Sequence, residues 1–217
     1  MSLFPAYYIC YLCLILSAAL AGWVRQWENR LVRPVLWLLS LTFLNELINR
    51  YLAYTIKNNS YPAHLFNPLQ LVLWACFFYR NLRGTVARKT LMPVTVILLL
   101  FSLCNTLWLQ PIDKFPGNFI KLEAVALLFW SGSLLLEFLE RPSPENIFRD
   151  PVFICTVAVV WFNLASFVYF SLFDILLQLH ISTRKIKAPH FLSNYTYYAL
   201  LLIAMCLPGQ KKINHER

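Results

Sequence analysis

Seven runs of mostly apolar residues divide the chain, at 3–24, 35–56, 65–82, 91–110, 119–139, 152–174 and 189–208. Each approaches the roughly 20 residues that a helix needs to cross the hydrocarbon of a bilayer. Lipid offers no hydrogen-bond partners, so a spanning segment must satisfy its backbone amides internally, which a single run does only as a helix. The runs therefore predict an all-α fold, a polytopic integral membrane protein built as a seven-transmembrane-helix bundle in one domain over 1–217. With 59% hydrophobic and 13% charged residues and a mean hydropathy of +0.57, the composition is far from that of soluble domains.

Proline supports the gaps. Pro34, Pro62, Pro111, Pro116, Pro142, Pro144, Pro151, Pro189 and Pro208 fall at or between the expected ends, where a missing amide donor costs least. Pro68 and Pro93 sit within a first turn or two, another tolerated place.

Orientation follows from the basic residues, because positive charge is retained on the cytoplasmic side. One set of alternating connections carries Arg25, Arg30, Arg33, Arg80, Arg83, Arg88, Lys89, Arg141, Arg149, Lys211, Lys212 and Arg217. The other carries only Lys57, Lys114, Arg184, Lys185 and Lys187. This asymmetry predicts an N-terminus outside and a cytoplasmic C-terminus. The start MSLFPAYYICYLC lacks the basic segment of a cleavable signal, so the first run is expected to stay as a helix. The same bias, with attraction to anionic headgroups, accounts for a net charge of +9, and no nucleic-acid partner is needed to explain it. The expected partner is the lipid bilayer itself.

The second run holds FLNELINRYL, with two amides, a carboxylate and a guanidinium at membrane depth. At 100° per residue, Thr42, Asn45, Glu46, Asn49, Arg50 and Ala53 fall on one arc, and Phe43, Leu44, Leu47, Ile48 and Tyr51 on the other. Glu46 and Arg50 are spaced to pair as i,i+4. A charge near mid-bilayer costs at least about 2.5 kcal/mol, so it is expected to face protein or a water-filled cavity. Given the orientation, Asn67 and Gln70 of the third helix, Asn105 of the fourth, Lys121 and Glu123 of the fifth, Asn163 of the sixth and Asn194 of the seventh fall in the same outer half. The expected site is an outward-facing polar cavity bounded by helices 2 to 7, lined by Asn45, Glu46, Asn49, Arg50, Asn67, Gln70, Asn105, Glu123, Asn163 and Asn194. The alternative for each amide is plain packing, worth about 0.6 kcal/mol per interhelical contact.

His64, His180, His190 and Asp174 map to the outer helix ends, and imidazoles with a carboxylate are a divalent-metal donor set. Their spacing matches no zinc pattern, so no metal site is expected. Cys10 and Cys13 form a CxxC, but Cys76, Cys104, Cys155 and Cys206 are scattered singly, as apolar fillers are. No HExxH, GxSxG or P-loop occurs, and five glycines make no phosphate cradle, so no cofactor and no catalytic residues are expected.

The run NELINRYLAYTIKNNSYPAHLFNPLQLVLWACFFYRNL, followed by RDPVFICTVAVVWFNLASFVYF, resembles seven-helix inner-membrane proteins of Bacteroidetes-type bacteria. It is similar, more distantly, to the seven-helix sensor regions of histidine kinases. The resemblance covers helices 2, 3 and 6, through Glu46, Asn67 and Pro151 with Phe153; Gln70 stands where a second carboxylate is expected. It implies a sensor-like fold in a cell inner (plasma) membrane and no particular chemistry.

The leading expectation is a receptor or sensor that binds a small molecule or lipid headgroup and signals to a cytoplasmic partner, docking through RNLRGTVARK and KKINHER. An oligomer is compatible with it. The first alternative is proton-coupled transport through Glu46, although no glycine-broken helix pair is visible. The second is a lipid-modifying enzyme using Glu46 and Glu123 as acid and base.

Overall fold

Helix is the only regular structure among the described residues of the computed structural model, which are 5–83, 85–140, 146–179 and 184–208. Seven α-helices follow in order: α1 (Ala6–Arg25), α2 (Arg33–Thr55), α3 (Tyr61–Asn81), α4 (Thr85–Cys104), α5 (Gly117–Glu140), α6 (Pro151–Gln178) and α7 (Arg184–Cys206). A π-helical segment, Asn105–Leu109, extends α4, and a short 3-10 turn, Ile147–Arg149, precedes α6. Four stretches are long and apolar enough to cross a membrane: Ala6–Arg25, Val86–Leu109, Gly117–Glu140 and Pro151–Phe173.

The helices start earlier than the apolar runs. α3 begins at Tyr61, α4 at Thr85 and α7 at Arg184. Pro62 therefore lies in a first turn, while Pro68, Pro93 and Pro189 lie inside helices rather than at their ends. Each interior proline removes one backbone donor, a loss that packing against neighbouring helices offsets. Hydropathy marks where a helix is greasy, and a helix continues past that point wherever its backbone bonds do.

Consecutive helices pack side by side, and α7 returns to close against α1, so the bundle forms a ring with α3 also touching α5 across it. At one end the ring is tied shut. Gln26 Nε2 donates to Leu207 O at 2.6 Å and Arg25 donates to Cys206 O at 2.6 Å, satisfying carbonyls at the end of α7. Arg80 donates to Arg30 O at 2.7 Å, and Asn81 Nδ2 to Leu31 O at 3.2 Å, which fixes the end of α3 to the α1–α2 connection. Gly22 makes the approach of α1, α2 and α7 possible, since a Cβ there would collide with Leu36 and stand 3.0 Å from Met205 Sδ.

Inside the ring, Trp74, Phe77 and Phe78 of α3 pack on one another and Phe78 meets Trp130 of α5, and all four are 0–1% exposed. Their rings contact edge-on or tilted, with Trp74 and Phe77 centred 5.3 Å apart. This aromatic layer is continuous with Leu36, Leu71 and Leu127, also buried. Leu44, Ile48, Leu65, Ile97, Leu100 and Leu136 point outward and are more than half exposed, the surface a helix presents to hydrocarbon.

Candidate functional site

Above the aromatic layer the ring encloses a cavity of about 190 Å³. Its walls come from α1, α2, α3, α5, α6 and α7 and from the connection before α5. α2 presents Thr42, Asn45, Glu46 and Asn49 to it, while Leu44, Ile48 and Tyr51 of the same helix turn outward. α3 contributes Asn67 and Gln70, α5 Glu123, α6 Asn163 and Ser166, and α7 His190, Asn194 and Tyr198. Aromatic wall is supplied by Tyr11, Phe66, Phe162 and Phe170, and by Phe115 from the connection before α5.

Glu46 is held from α1. Tyr8 Oη donates to Glu46 Oε2 at 2.8 Å and to the Glu46 carbonyl at 2.9 Å, and Tyr11 Oη reaches Oε1 at 3.4 Å. The Arg50 guanidinium lies over the Tyr8 ring, 5.4 Å from its centroid. The i,i+4 pairing expected between Glu46 and Arg50 is thus replaced, at the Glu46 carboxylate, by two phenol donors from another helix. A phenol reaching across a helix interface donates to a partly buried carboxylate without bringing a second charge out of water.

Two of the ten expected residues are not in the cavity wall. Arg50 stands beside it on the Tyr8 ring. Asn105 is fully buried in the π-helical segment, where its Nδ2 donates to Gln110 Oε1 at 3.2 Å. No residue of α4 lines the cavity, so α1 takes the place that the fourth helix was expected to fill. The widened π turn directs Asn105 to its own chain end instead of across the bundle.

Glu123 is 3% exposed, and its Oε1 has no hydrogen-bond partner. The same holds for Asn49 Oδ1, Asn67 Nδ2, Ser166 Oγ and His190 Nδ1, and all five residues line the cavity. Other polar groups are only half used. Asn163 Nδ2 donates to Val159 O at 2.8 Å and Asn194 Nδ2 to His190 O at 2.9 Å, which leaves the amide oxygens as acceptors. A buried polar atom without a partner costs about 1–3 kcal/mol, so a cluster of them in one cavity marks where water or a ligand binds.

The connection between α4 and α5, which supplies Phe115 to the wall, is fastened to α3 and α5. His64 joins Thr106 Oγ1 at 2.8 Å through Nδ1 and the Lys114 carbonyl at 2.7 Å through Nε2. Asn58 Nδ2 donates to Asp113 O at 3.0 Å, and Gln110 Oε1 also accepts from Asn118 N at 3.1 Å. Phe115 stacks on Phe170 with centroids 5.3 Å apart. His190 stacks on Tyr169 at 4.1 Å. Hence His64 and His190 serve different structures. His180 and the Asp174 side chain lie outside the described residues, and among those described no cluster of metal-ligating side chains occurs. Cys10 and Cys13 are exposed on α1, away from the cavity.

Tyr8, Tyr11, Ser166, His190 and Tyr198 are site residues that sequence reading did not assign to the cavity. Three carried a readable signal: Ser166 is three residues after Asn163, His190 four before Asn194, and Tyr198 four after it, so each shares a helix face with a cavity asparagine. The tyrosines of α1 carried none, being counted as apolar.

Comparison of the chain with family models, with curated proteins and with solved structures finds no match.

Proposed function

We propose that this chain is a receptor or sensor of the inner (plasma) membrane, with all seven helices crossing the bilayer, the N-terminus outside and the C-terminus cytoplasmic. In this reading a small molecule or lipid headgroup enters the polar cavity from outside. Its binding shifts helices whose inner ends contact a cytoplasmic partner.

The observation that carries the reading is the convergence of five unpartnered buried polar atoms on one cavity. Among the described residues two more such atoms, Asn105 Oδ1 and Ser193 Oγ, lie outside the cavity wall, so five of seven fall on it, and most buried polar groups in plain packing are paired. α2, α3 and α7 are 23, 21 and 23 residues long, enough to span at 1.5 Å per residue. They fall outside the most apolar set, and each lends amides to the cavity wall while Leu44 and Ile48 of α2, Leu65 of α3 and Leu192 of α7 point outward. The buried aromatic layer under the cavity favours recognition over passage, since a transported solute would have to part Phe78 from Trp130.

The test is a stability screen of the reconstituted protein against small polar compounds. A hit that raises the melting temperature saturably, without flux or turnover, and that is lost in Ser166→Phe, which fills the cavity, supports the receptor reading. Uptake coupled to pH that Glu46→Gln abolishes replaces it with transport, and lipid turnover replaces it with an enzyme.

A further inference from the structure

Two carboxylates and unsatisfied acceptor oxygens meet in the cavity wall. Glu123 Oε1 and Asn49 Oδ1 are acceptors without partners, while the amide nitrogens of Asn163 and Asn194 each give one N–H to a backbone carbonyl and Asn194 Nδ2 also lies 3.3 Å from His190 Nε2. The formal charges are one-sided too. Glu46 and Glu123 line the cavity, and no lysine or arginine does so among the described residues. Glu46 already receives two tyrosine hydroxyls, with Arg50 behind the nearer ring. Glu123, at 3% exposure, has no such provision for Oε1.

We infer that the cavity binds a small organic ammonium compound, with its N–H groups directed to Glu123 and the surrounding amide oxygens and its apolar part against Phe162 and Phe170. This rests on the receptor reading above and names the ligand class for it. An ammonium group is a donor without acceptors, matching the unsatisfied oxygens of Glu123 and Asn49. Aromatic faces around a carboxylate are the usual surroundings of such cations. The size fits, because apolar cavities of about 150 Å³ hold benzene and this one is about 190 Å³. A carboxylate or phosphate compound would meet two carboxylates and no cation in the wall. The unpartnered donors, Asn67 Nδ2 and the Ser166 hydroxyl, together with His190 Nδ1 in the tautomer that protonates it, leave room for a neutral acceptor on the ligand. The ammonium comes either from a free amine or from an aminophospholipid headgroup, and both present the same chemistry to Glu123.

The test uses the full chain, delipidated and in detergent, with benzylamine, benzyl alcohol and benzoate as probes that differ mainly in charge. Benzylamine should bind saturably, at least about tenfold tighter than either of the others, as expected for a hydrogen bond to a charged acceptor. Glu123→Gln, which keeps shape, should remove that preference while the protein still folds, as shown by an unchanged elution profile. In nanodiscs, stabilisation by phosphatidylethanolamine over phosphatidylcholine would assign the ammonium to lipid, and its absence alongside benzylamine binding would assign it to a free amine. Equal or tighter binding of benzyl alcohol or benzoate overturns the ammonium assignment and leaves the cavity as a binding site. Benzylamine preference that survives Glu123→Gln, or failure of all three probes to bind, also overturns the ammonium assignment. The receptor reading itself falls only if the broader screen and the Ser166→Phe control fail as well.

Discussion

The hydroxyl of Tyr8 bonds at once to the carboxylate and to the backbone carbonyl of Glu46, 38 positions away in the chain. One phenol thus sets both the rotamer of an acidic side chain at membrane depth and the rotation of α2 against α1. The carboxylate is held in place by a helix that contributes no charge of its own to the cavity, which leaves its remaining lone pairs available to whatever occupies the space.

Tyr8→Phe should therefore destabilise the protein by about 1.5–3 kcal/mol, the range for hydrogen bonds to charged groups. The matching double-mutant cycle is more informative. Glu46→Gln should cost distinctly less in the Tyr8→Phe background than in the native one, and additive effects in thermal unfolding would show that the two residues are not coupled.

Gly22→Val should be more damaging than its size implies. The added carbons enter the space of Leu36 and Met205 where three helices meet, and overpacking of this sort costs about 1–3 kcal/mol. Gly132, where an added Cβ meets nothing, is the control: Gly132→Ala should leave the melting temperature unchanged or raise it.

His64→Ala removes the link from α3 to both Thr106 and the Lys114 carbonyl. Backbone amides over 110–116 should then exchange faster with solvent, while those of Leu127 and Trp130 in the core hold their protection. Uniform acceleration across both regions would mean that His64 supports the whole bundle and not the α4–α5 connection alone.

Orientation is open to direct labelling. With the native cysteines replaced, Asn59→Cys and Glu140→Cys lie on exposed positions at opposite ends of α3 and α5. A membrane-impermeant maleimide added to intact cells should label the first and spare the second. The reverse pattern would turn the proposed topology over, as basic residues on the wrong side would require.

The polar arc of α2 could be read in the sequence because helical periodicity decides which residues share a face. Asn67, Gln70, Asn163 and Asn194 were legible for the same reason, each an amide in an apolar run whose depth follows from counting turns. Periodicity says nothing about the rotation of one helix relative to the next. Asn105 shows the limit: its depth matched the others, yet a local change to π-helical winding turned it to Gln110. Pro68, Pro93 and Pro189 show another, since a proline's tolerance depends on neighbours that a single run does not reveal.

By itself the sequence determined that this protein is helical and suited to lipid, because unpaired amides in hydrocarbon are too costly for any other backbone in runs of this length. It also determined which helix faces are polar. Only the tertiary structure decided that α1 and not α4 closes the cavity, that tyrosines and not Arg50 hold the Glu46 carboxylate, and that Glu123 is left with an empty acceptor. Those outcomes depend on the packing of side chains from distant segments, whose fit fixes each helix's rotation and is written in no single stretch of chain.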